Sequence, residues 1–217
     1  MYLSRLILNP MSRRVQRELA DAYQLHRTLL RSFPTALAQG QERMLYRLEP
    51  ACPDGGIPLL MQSWEAPQWD WLDEPGARGC LLESPACKPF ELHLTPRQTL
   101  AFRLRANPTV RRNGKRLGLL REGEQLTWLQ RKAAASGFAL LGARTSAAER
   151  VYGNLPKAKL PQPAAEGDAE PALRLLAVQF DGLLRVTAAA DLANAVRSGI
   201  GSGKAWGCGL LSLAPPR

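Results

Sequence analysis

The chain ends in Gly199-Ile-Gly-Ser-Gly-Lys-Ala-Trp-Gly-Cys-Gly-Leu-Leu-Ser-Leu-Ala-Pro-Pro-Arg217, where five glycines fall within eleven residues. A helix-like stretch, Asp191–Ser198, precedes this run, and a short apolar strand, Leu210–Leu213, follows it. Glycines of dinucleotide sites and P-loops instead follow a strand and open a helix. The order helix, glycines, strand therefore predicts a loop beside a sheet, with backbone N–H groups that approach a phosphate chain. A glycine-rich connector without a ligand is the alternative.

The second half of the chain, which ends in this loop, alternates strand and helix patterns. Asn113-Gly114 is a hairpin signal within Val110–Leu120, and Gly137 ends the helix that follows. The remaining predicted elements are strands at Thr99–Arg105, Phe138–Gly142, Leu173–Val186 and Leu210–Leu213, and helices at Glu122–Ala135 and Ala190–Ser198. Thr145–Pro171 is rich in Pro, Ala and Gly, and its length predicts a functional or disordered loop.

The first half repeats this pattern. Asp21 is placed to cap a second helix inside the helical stretch Ser12–Phe33. The other predicted elements are strands at Tyr2–Asn9, Glu42–Glu49 and Ile57–Trp64, a short helix at Pro67–Leu72, and a further strand within Gly79–Leu94. The order β-α-β-β-α-β in both halves predicts an α+β fold of two tandem ferredoxin-like domains, residues 1–94 and 95–217.

Composition excludes several classes of protein. No apolar run approaches the ~18–20 residues that a membrane span needs, and the N-terminus becomes polar too soon for a signal peptide. The four cysteines contain no Cys-x-x-Cys pair, and the chain has only two histidines. We therefore expect a reduced, cytoplasmic protein with no structural zinc, no acidic cluster for Mg²⁺, no small-molecule cofactor and no membrane partner.

Positive charge is concentrated in two regions. The formal net charge is +10, and residues 101–150 alone carry eleven basic and three acidic side chains. A second excess lies within residues 1–50, with eight basic and four acidic side chains. Arginine far outnumbers lysine, and its planar guanidinium contacts phosphate through two donors. This distribution favours a nucleic-acid partner over a small-molecule substrate.

Tyr23 and His26 are the strongest candidates for catalysis. They are three residues apart, so they are neighbours on a helix, with Arg27 and Arg31 nearby. A histidine can take and give a proton near pH 7, a tyrosine offers a hydroxyl, and arginine holds phosphate. Together these groups suffice for RNA cleavage by its own 2′-OH without a metal. The alternative is an ordinary histidine on an apolar stripe of Val15, Leu19, Ala22, His26, Leu29 and Phe33. His93, in a strand-like stretch, is interpreted as structural.

The segment Phe102–Arg116 carries six cations and no acid. Alternation places Arg103 and Arg105 on one strand face and Phe102 on the other. A basic hairpin on a ferredoxin-like sheet suits a nucleic-acid backbone, whereas a charged strand edge that prevents aggregation is the alternative. The cations are Arg103, Arg105, Arg111, Arg112, Lys115 and Arg116.

Four stretches together resemble the CasE family of CRISPR repeat-RNA endoribonucleases, RAMP-superfamily proteins of the type I-E Cascade complex. They are Asp21-Ala-Tyr-Gln-Leu-His26, Phe102-Arg-Leu-Arg-Ala-Asn-Pro108 with Gly114-Lys-Arg116, Trp128-Leu-Gln-Arg-Lys132, and Gly199-Ile-Gly201 through Lys204 to Pro216. The resemblance implies two ferredoxin-like domains that bind a hairpin of precursor CRISPR RNA. It also implies metal-independent cutting at the 3′ base of that hairpin, leaving a 2′,3′-cyclic phosphate and a 5′-hydroxyl. The enzyme would then stay on its product as a Cascade subunit.

By motif position, the resemblance assigns catalysis to His26 and an active-site role to Tyr23, with base and acid left open. Some members have a serine where Pro34 stands, and we do not transfer that role to the nearby Ser32. We expect RNA contacts from the arginines beside His26, from the basic hairpin, from a mobile arm in the long loop and from the glycine-rich loop. These residues are Arg27, Arg31, Arg103, Arg105, Arg111, Arg112, Lys115, Arg116, Lys157, Lys159, Gly199, Gly201, Gly203 and Lys204. A RAMP-type protein that holds structured RNA or scaffolds Cascade without cutting is the second hypothesis.

Overall fold

The computed structural model describes residues 1–34, 44–154 and 172–216. It divides into two compact units. The first unit comprises Met1–Met44, Leu48–Pro89 and Arg150–Leu175, and the second comprises Leu45–Arg47, Phe90–Glu149 and Leu176–Arg217. The division of the sequence at residues 94 and 95 stays a prediction. No helix in the described ranges is long and apolar enough to cross a membrane.

The first sheet is built on a central strand in which only one of the seven residues is exposed. Its strands are β1 (Tyr2–Leu8), β2 (Leu45–Leu48), β3 (Ile57–Ser63) and β4 (Ala86–Pro89), with helices α1 (Arg13–Ala20) and α2 (Ala22–Leu30) after β1. β1 pairs antiparallel with both β3 and β4, and Leu6 lies opposite Leu59. Both leucines are fully buried, so the register places this pair on the core face of the sheet. The short helix predicted at Pro67–Leu72 is a 3₁₀ turn at Asp70–Asp73.

The second sheet carries a hairpin and a glycine-rich loop as insertions. Its elements are β5 (Thr99–Ala106), β6 (Thr109–Arg112), β7 (Lys115–Gly118), α3 (Glu122–Ala135), β8 (Phe138–Asn154), β9 (Ala172–Val186), α4 (Ala189–Ser198) and β10 (Leu211–Ala214). In the core of this unit, α3 and α4 pack against the inward side chains of β5 and β9. The cluster includes Trp128 of α3, Phe180 of β9 and Leu192 of α4. Gly137, with φ of 74°, ends the helix segment as predicted, and a Cβ there would lie 2.4 Å from the Ala188 carbonyl oxygen.

The two sheets share one strand order. The first runs β2-β3-β1-β4 and the second runs β10-β5-β9-β8, while β6 and β7 form a separate ribbon. Counted within each sheet, the first order is second, third, first, fourth, and the second order read from its other end is second, third, first, fourth as well. This is the arrangement of the ferredoxin-like β-α-β-β-α-β unit, so the sequence-based α+β prediction matches the observed topology.

One prediction about the second half is wrong in part. The strand expected to end at Gly142 continues to Asn154, so residues 145–154 are strand rather than loop. The reason is that β8 neighbours β9 in the sheet, and the ladder between these two long strands satisfies the backbone groups of this polar stretch. Lys157 and Lys159, the predicted mobile arm, lie outside the described residues.

Candidate functional site

Asp21 divides the helical segment and caps its second part. Its extended backbone separates α1 from α2, and its Oδ1 accepts a hydrogen bond from the Tyr23 amide at 3.0 Å. The same carboxylate accepts from the Asn154 backbone N–H at 3.2 Å and from Asn154 Nδ2 at 3.4 Å. The cap satisfies an N–H group of the first turn, and it ties the start of α2 to the last residue of β8.

α2 brings three of the predicted site residues together. Tyr23 and His26 are half-buried, while Arg27 is exposed. The Arg27 guanidinium lies 5.9 Å from the centre of the Tyr23 ring. Leu25 and Leu29, which flank His26 in sequence and on the helix, are only 2% and 1% exposed. α2 is therefore anchored in the core, and it presents an imidazole, a phenol and a guanidinium on adjoining positions.

Arg31, the fourth predicted residue of this helix region, is engaged within the protein. It forms an ion pair with Glu74, and its guanidinium lies 5.9 Å from the centre of the Trp71 ring. Arg14 of α1 lies 5.5 Å from the same ring. Trp71 in turn donates from Nε1 to Ser32 Oγ at 2.9 Å, and Ser32 is fully buried. The Ser32 hydroxyl is thus engaged in a hydrogen bond within the core.

The glycine-rich loop folds back on itself after α4. The Ile200 amide donates to the Gly209 carbonyl at 2.9 Å, and the Gly209 amide donates to the Arg105 carbonyl at 2.7 Å. Asn107 forms an isolated bridge with Ser202. Five glycines of this loop have positive φ, namely Gly199, Gly201, Gly203, Gly207 and Gly209. The glycine spacing thus reflects a backbone path that other residues adopt only at a cost.

Arg105 and Tyr46 donate hydrogen bonds to carbonyl groups of this loop. Arg105 is 6% exposed, donates to the Gly207 carbonyl at 3.0 Å and forms an ion pair with Glu149. The Tyr46 hydroxyl donates to the Ala205 carbonyl at 3.2 Å. Burial raises the pKa of the Tyr46 phenol well above its usual range, so the hydroxyl stays protonated and remains a donor. The alternation of residues in β5 predicts that Arg103 and Arg105 lie on one face of the strand. In the structure, the glycine-rich loop packs on that face at Arg105 and buries its side chain.

The other hairpin cations differ in their surroundings. Arg103 is half-exposed and forms an ion pair with Asp181 at 2.6 Å. The β6–β7 hairpin turns at Asn113 and Gly114, both with positive φ, as the Asn-Gly signal predicted. Its four cations lie on the hairpin strands and are all exposed, namely Arg111, Arg112, Lys115 and Arg116.

α3 supplies two cations, Arg131 and Lys132, that were not among the predicted RNA-binding residues. Arg131 is exposed and Lys132 is half-buried, with its Nζ 5.9 Å from the centre of the Trp128 ring. The signal was available, because positions 128, 131, 132 and 135 share one face of a helix. Within the described ranges, no group of three or more His, Cys, Asp or Glu side chains is placed to hold a metal ion.

Comparisons with known proteins show the family to which this chain belongs. The family described as "CRISPR associated protein" matches residues 1–215. The chain is 40% identical to the CRISPR-associated endoribonuclease Cse3 of Thermus thermophilus, over 99% of this chain and 100% of that protein. This chain belongs to the Cse3/CasE family of CRISPR-associated endoribonucleases. It is also 34% identical to the Cascade subunit CasE of Escherichia coli, over 99% of this chain and 100% of that protein.

A solved structure of a Cse3/CasE family member supports the fold. The structure of the CRISPR endoribonuclease Cse3 bound to a 19-nucleotide RNA matches with a TM-score of 0.86 and 38% identity, over 99% of this chain and 100% of that one. The predicted family resemblance and the predicted α+β class of tandem ferredoxin-like units are therefore confirmed. The individual site residues stay predictions.

Proposed function

We propose that this chain binds the repeat hairpin of precursor CRISPR RNA, cuts at its 3′ base, and remains on the mature RNA as a Cascade subunit in the cytoplasm. The relatives are named as a CRISPR-associated endoribonuclease and as a Cascade subunit, and this chain aligns with both over nearly its whole length. The observation that carries the proposal is the capped helix α2, which presents His26, Tyr23 and Arg27 on adjoining positions. We also propose that the two functions divide between residues 1–94, with the catalytic histidine, and residues 95–217, with the basic hairpin.

The proposed reaction is an internal transesterification of RNA. The 2′-oxygen loses its proton to a general base and forms a bond to the adjacent phosphorus. The bond from phosphorus to the 5′-oxygen breaks, and a general acid protonates that leaving oxygen. The products are a 2′,3′-cyclic phosphate and a 5′-hydroxyl, so the step consumes no water and needs no redox partner. We propose that it needs no metal ion.

The residues of α2 fit the groups that this reaction requires. His26 can act as base in its neutral form or as acid in its protonated form, and Tyr23 supplies the second proton-transfer or hydrogen-bonding group. Arg27 adjoins Tyr23 and can stabilise the negative charge that develops on the phosphorane oxygens. The cap at Asp21 fixes the first turn of the helix and hence the position of Tyr23. Which of His26 and Tyr23 is base and which is acid is left open in the proposal.

The test is single-turnover cleavage of the cognate repeat RNA in excess EDTA. A positioned acid or base contributes roughly 10²–10⁴-fold, so His26→Ala should slow cleavage by at least about 100-fold while binding the RNA normally. His93→Ala is the matched control, because His93 is the other histidine and its side chain is 87% exposed beside Glu91. The control should cut at the wild-type rate and leave the same cyclic phosphate.

A non-catalytic RNA-binding subunit is the second candidate, and the position of His26 between buried leucines favours it. In that case wild-type protein would bind the hairpin tightly without cutting, and His26→Ala would change neither measurement. Cleavage by wild type that stops on addition of EDTA would instead overturn the metal-independent mechanism.

A further inference from the structure

A groove lies within the second unit, between the β6–β7 hairpin, the last turns of α3 and the glycine-rich loop. We call it the basic groove and define it by its five cations, Arg111, Arg116, Arg131, Lys132 and Lys204. No acidic side chain is among the described residues that line it. A concave surface with cations from three separate elements is an arrangement expected for a polyanion.

The hairpin wall of the groove places like charges opposite one another. Arg111 lies directly across from Arg116, and Arg112 lies directly across from Lys115. Like charges at directly opposed positions of an antiparallel pair destabilise it. All four side chains are exposed, so solvent screening reduces this repulsion without removing it. A bound polyanion would relieve the repulsion, and this relief favours a phosphate ligand over an uncharged partner.

The floor of the groove is Trp128, which fixes the α3 wall in place. Its ring stacks on Phe180 of the core with centroids 6.2 Å apart, and it is only 3% exposed. Lys132 lies over the ring from within the same helix, while Arg131 stands beside it, exposed. Because Trp128 is packed on the core, this wall is a rigid support for the two cations rather than a flexible tail. A buried tryptophan also leaves no ring face for base stacking, so the groove suits the RNA backbone rather than a base.

The third wall is the backbone of the glycine-rich loop. Gly201 lines the groove with φ of 86°, and a Cβ there would lie 3.1 Å from the Trp128 ring. Lys204 is directed back to the loop entrance, where its Nζ donates to the Ser198 carbonyl at the end of α4. This contact places a cation at the negative end of the α4 dipole, which would otherwise repel a phosphate nearby.

We propose that the basic groove binds a phosphodiester segment of the RNA, and that Arg131 and Lys132 are phosphate contacts of this enzyme. The proposal rests on the proposed function, since it assigns a second place at which the same RNA is held. The segment comes either from the stem of the hairpin or from its single-stranded flank. Both sources present the same phosphodiester chemistry, and the choice of RNA in the experiment distinguishes them.

The experiment measures RNA affinity by fluorescence anisotropy from 50 to 200 mM salt, with EDTA and at a temperature that prevents cleavage. It compares wild type with the double variant Arg131→Gln, Lys132→Gln. The control is Arg13→Gln, Arg17→Gln, which removes the same charge from exposed positions one turn apart on α1. Two probes are used, the repeat hairpin alone and the hairpin with its single-stranded flank.

Two lost phosphate contacts should reduce the magnitude of the slope of log affinity against log salt by about 1.8 for the stem, or about 1.4 for a single strand. The factor by which wild type loses affinity between 50 and 200 mM salt should therefore exceed that of the variant by about sevenfold for a single strand and about twelvefold for the stem. A reduced slope with the hairpin alone identifies stem phosphates, and a reduced slope only with the longer RNA identifies the flank. The control should keep the wild-type slope.

A wild-type slope and affinity in the α3 variant, with both RNAs, would overturn the proposal. An equal change in the control would overturn it as well, because the effect would then reflect net charge rather than the groove. Cleavage by wild type in the same preparation tests the proposed function separately. If wild type cuts normally and the α3 variant binds RNA normally, only the groove proposal is overturned and the proposed function stands.

Discussion

Replacing Gly201 with valine tests whether the glycine-rich loop needs its observed backbone. Gly201 has φ of 86°, a region that L-residues enter at a cost of about 1–3 kcal/mol, and β-branched residues most reluctantly. The new Cβ would also lie 3.1 and 3.2 Å from two carbons of the Trp128 ring, tighter than ordinary contact. Trp128 is stacked on Phe180, so it cannot retreat cheaply, and overpacking adds about 1 kcal/mol or more.

These contributions total about 2–4 kcal/mol, and the protein can show them in two ways. If the loop keeps its path, the strain destabilises the folded state and lowers Tm by about 4–16 °C for a chain of this size. If the loop relaxes, Tm changes little, but RNA binding must restore the path, and affinity falls by about 30-fold to several-hundred-fold. Tm and hairpin affinity should therefore be measured on the same preparation, because the strain must appear in one of the two or be divided between them.

The control is Gly142→Val on β8, where φ is not positive and a Cβ would meet nothing within 4 Å. Valine suits a strand, so this variant should keep the wild-type Tm and affinity. If Gly201→Val also kept both, the loop would be a connector without a required path, and the reasoning from its backbone would be refuted.

Two further predictions concern the helix cap and the cysteines. Asp21→Ala removes the acceptor for the first turn of α2 and should lower the free energy of unfolding by about 1–2 kcal/mol, seen as a Tm drop of about 2–8 °C. Asp21→Asn keeps an acceptor and should lose less stability. Equal losses in both variants would assign the effect to charge instead of capping. Burial raises the pKa of the Cys208 thiol to about 11, so at pH 8 a thiol reagent should modify the exposed Cys87 at once and Cys208 only after unfolding. Rapid modification of Cys208 in the folded protein, read by mass spectrometry, would contradict the complete burial of its side chain within the glycine-rich loop.

Features encoded by neighbouring residues were predictable from the sequence. The break at Asp21 follows from its ability to cap a helix, and the hairpin turn follows from Asn113-Gly114, whose two positive φ values suit that dipeptide. The strand order of each sheet also followed, because the β-α-β-β-α-β pattern leaves few arrangements with short connections. In the candidate site, the same local logic placed Tyr23 and His26 together, since they are one helical turn apart.

Features that depend on distant partners were not predictable. The extension of β8 to Asn154 is stabilised by its neighbour β9, whereas its own composition, rich in Ala and Arg, is a weak strand signal. The α3 cations were missed for a related reason. A Trp-x-x-Arg-Lys pattern on a helix is compatible with a solvated face, and only the hairpin and the glycine-rich loop opposite it make that face one wall of a groove.

The arginines of the second unit show why charge counted along a sequence overstates what a ligand can meet. Arg47 is 2% exposed and donates to the carbonyls of Arg103 and Leu210, so it holds strands together. Arg105 is paired with Glu149 under the glycine-rich loop. Loss of RNA binding on substitution of Arg105 would therefore not identify a phosphate contact, because the loop would lose its support at the same time.

The dependence of affinity on salt separates these two kinds of arginine. A side chain that contacts phosphate changes the slope when it is removed, since one fewer counterion is released. A side chain that supports the loop lowers affinity at every salt concentration and leaves the slope of the remaining contacts unchanged. From their exposure, we expect the exposed cations of the hairpin and of α3 to be of the first kind, and from its burial we expect Arg105 to be of the second. The positively charged surface that RNA can contact is thus smaller than the net charge suggests. It is concentrated at the basic groove, where no acidic side chain is among the described lining residues.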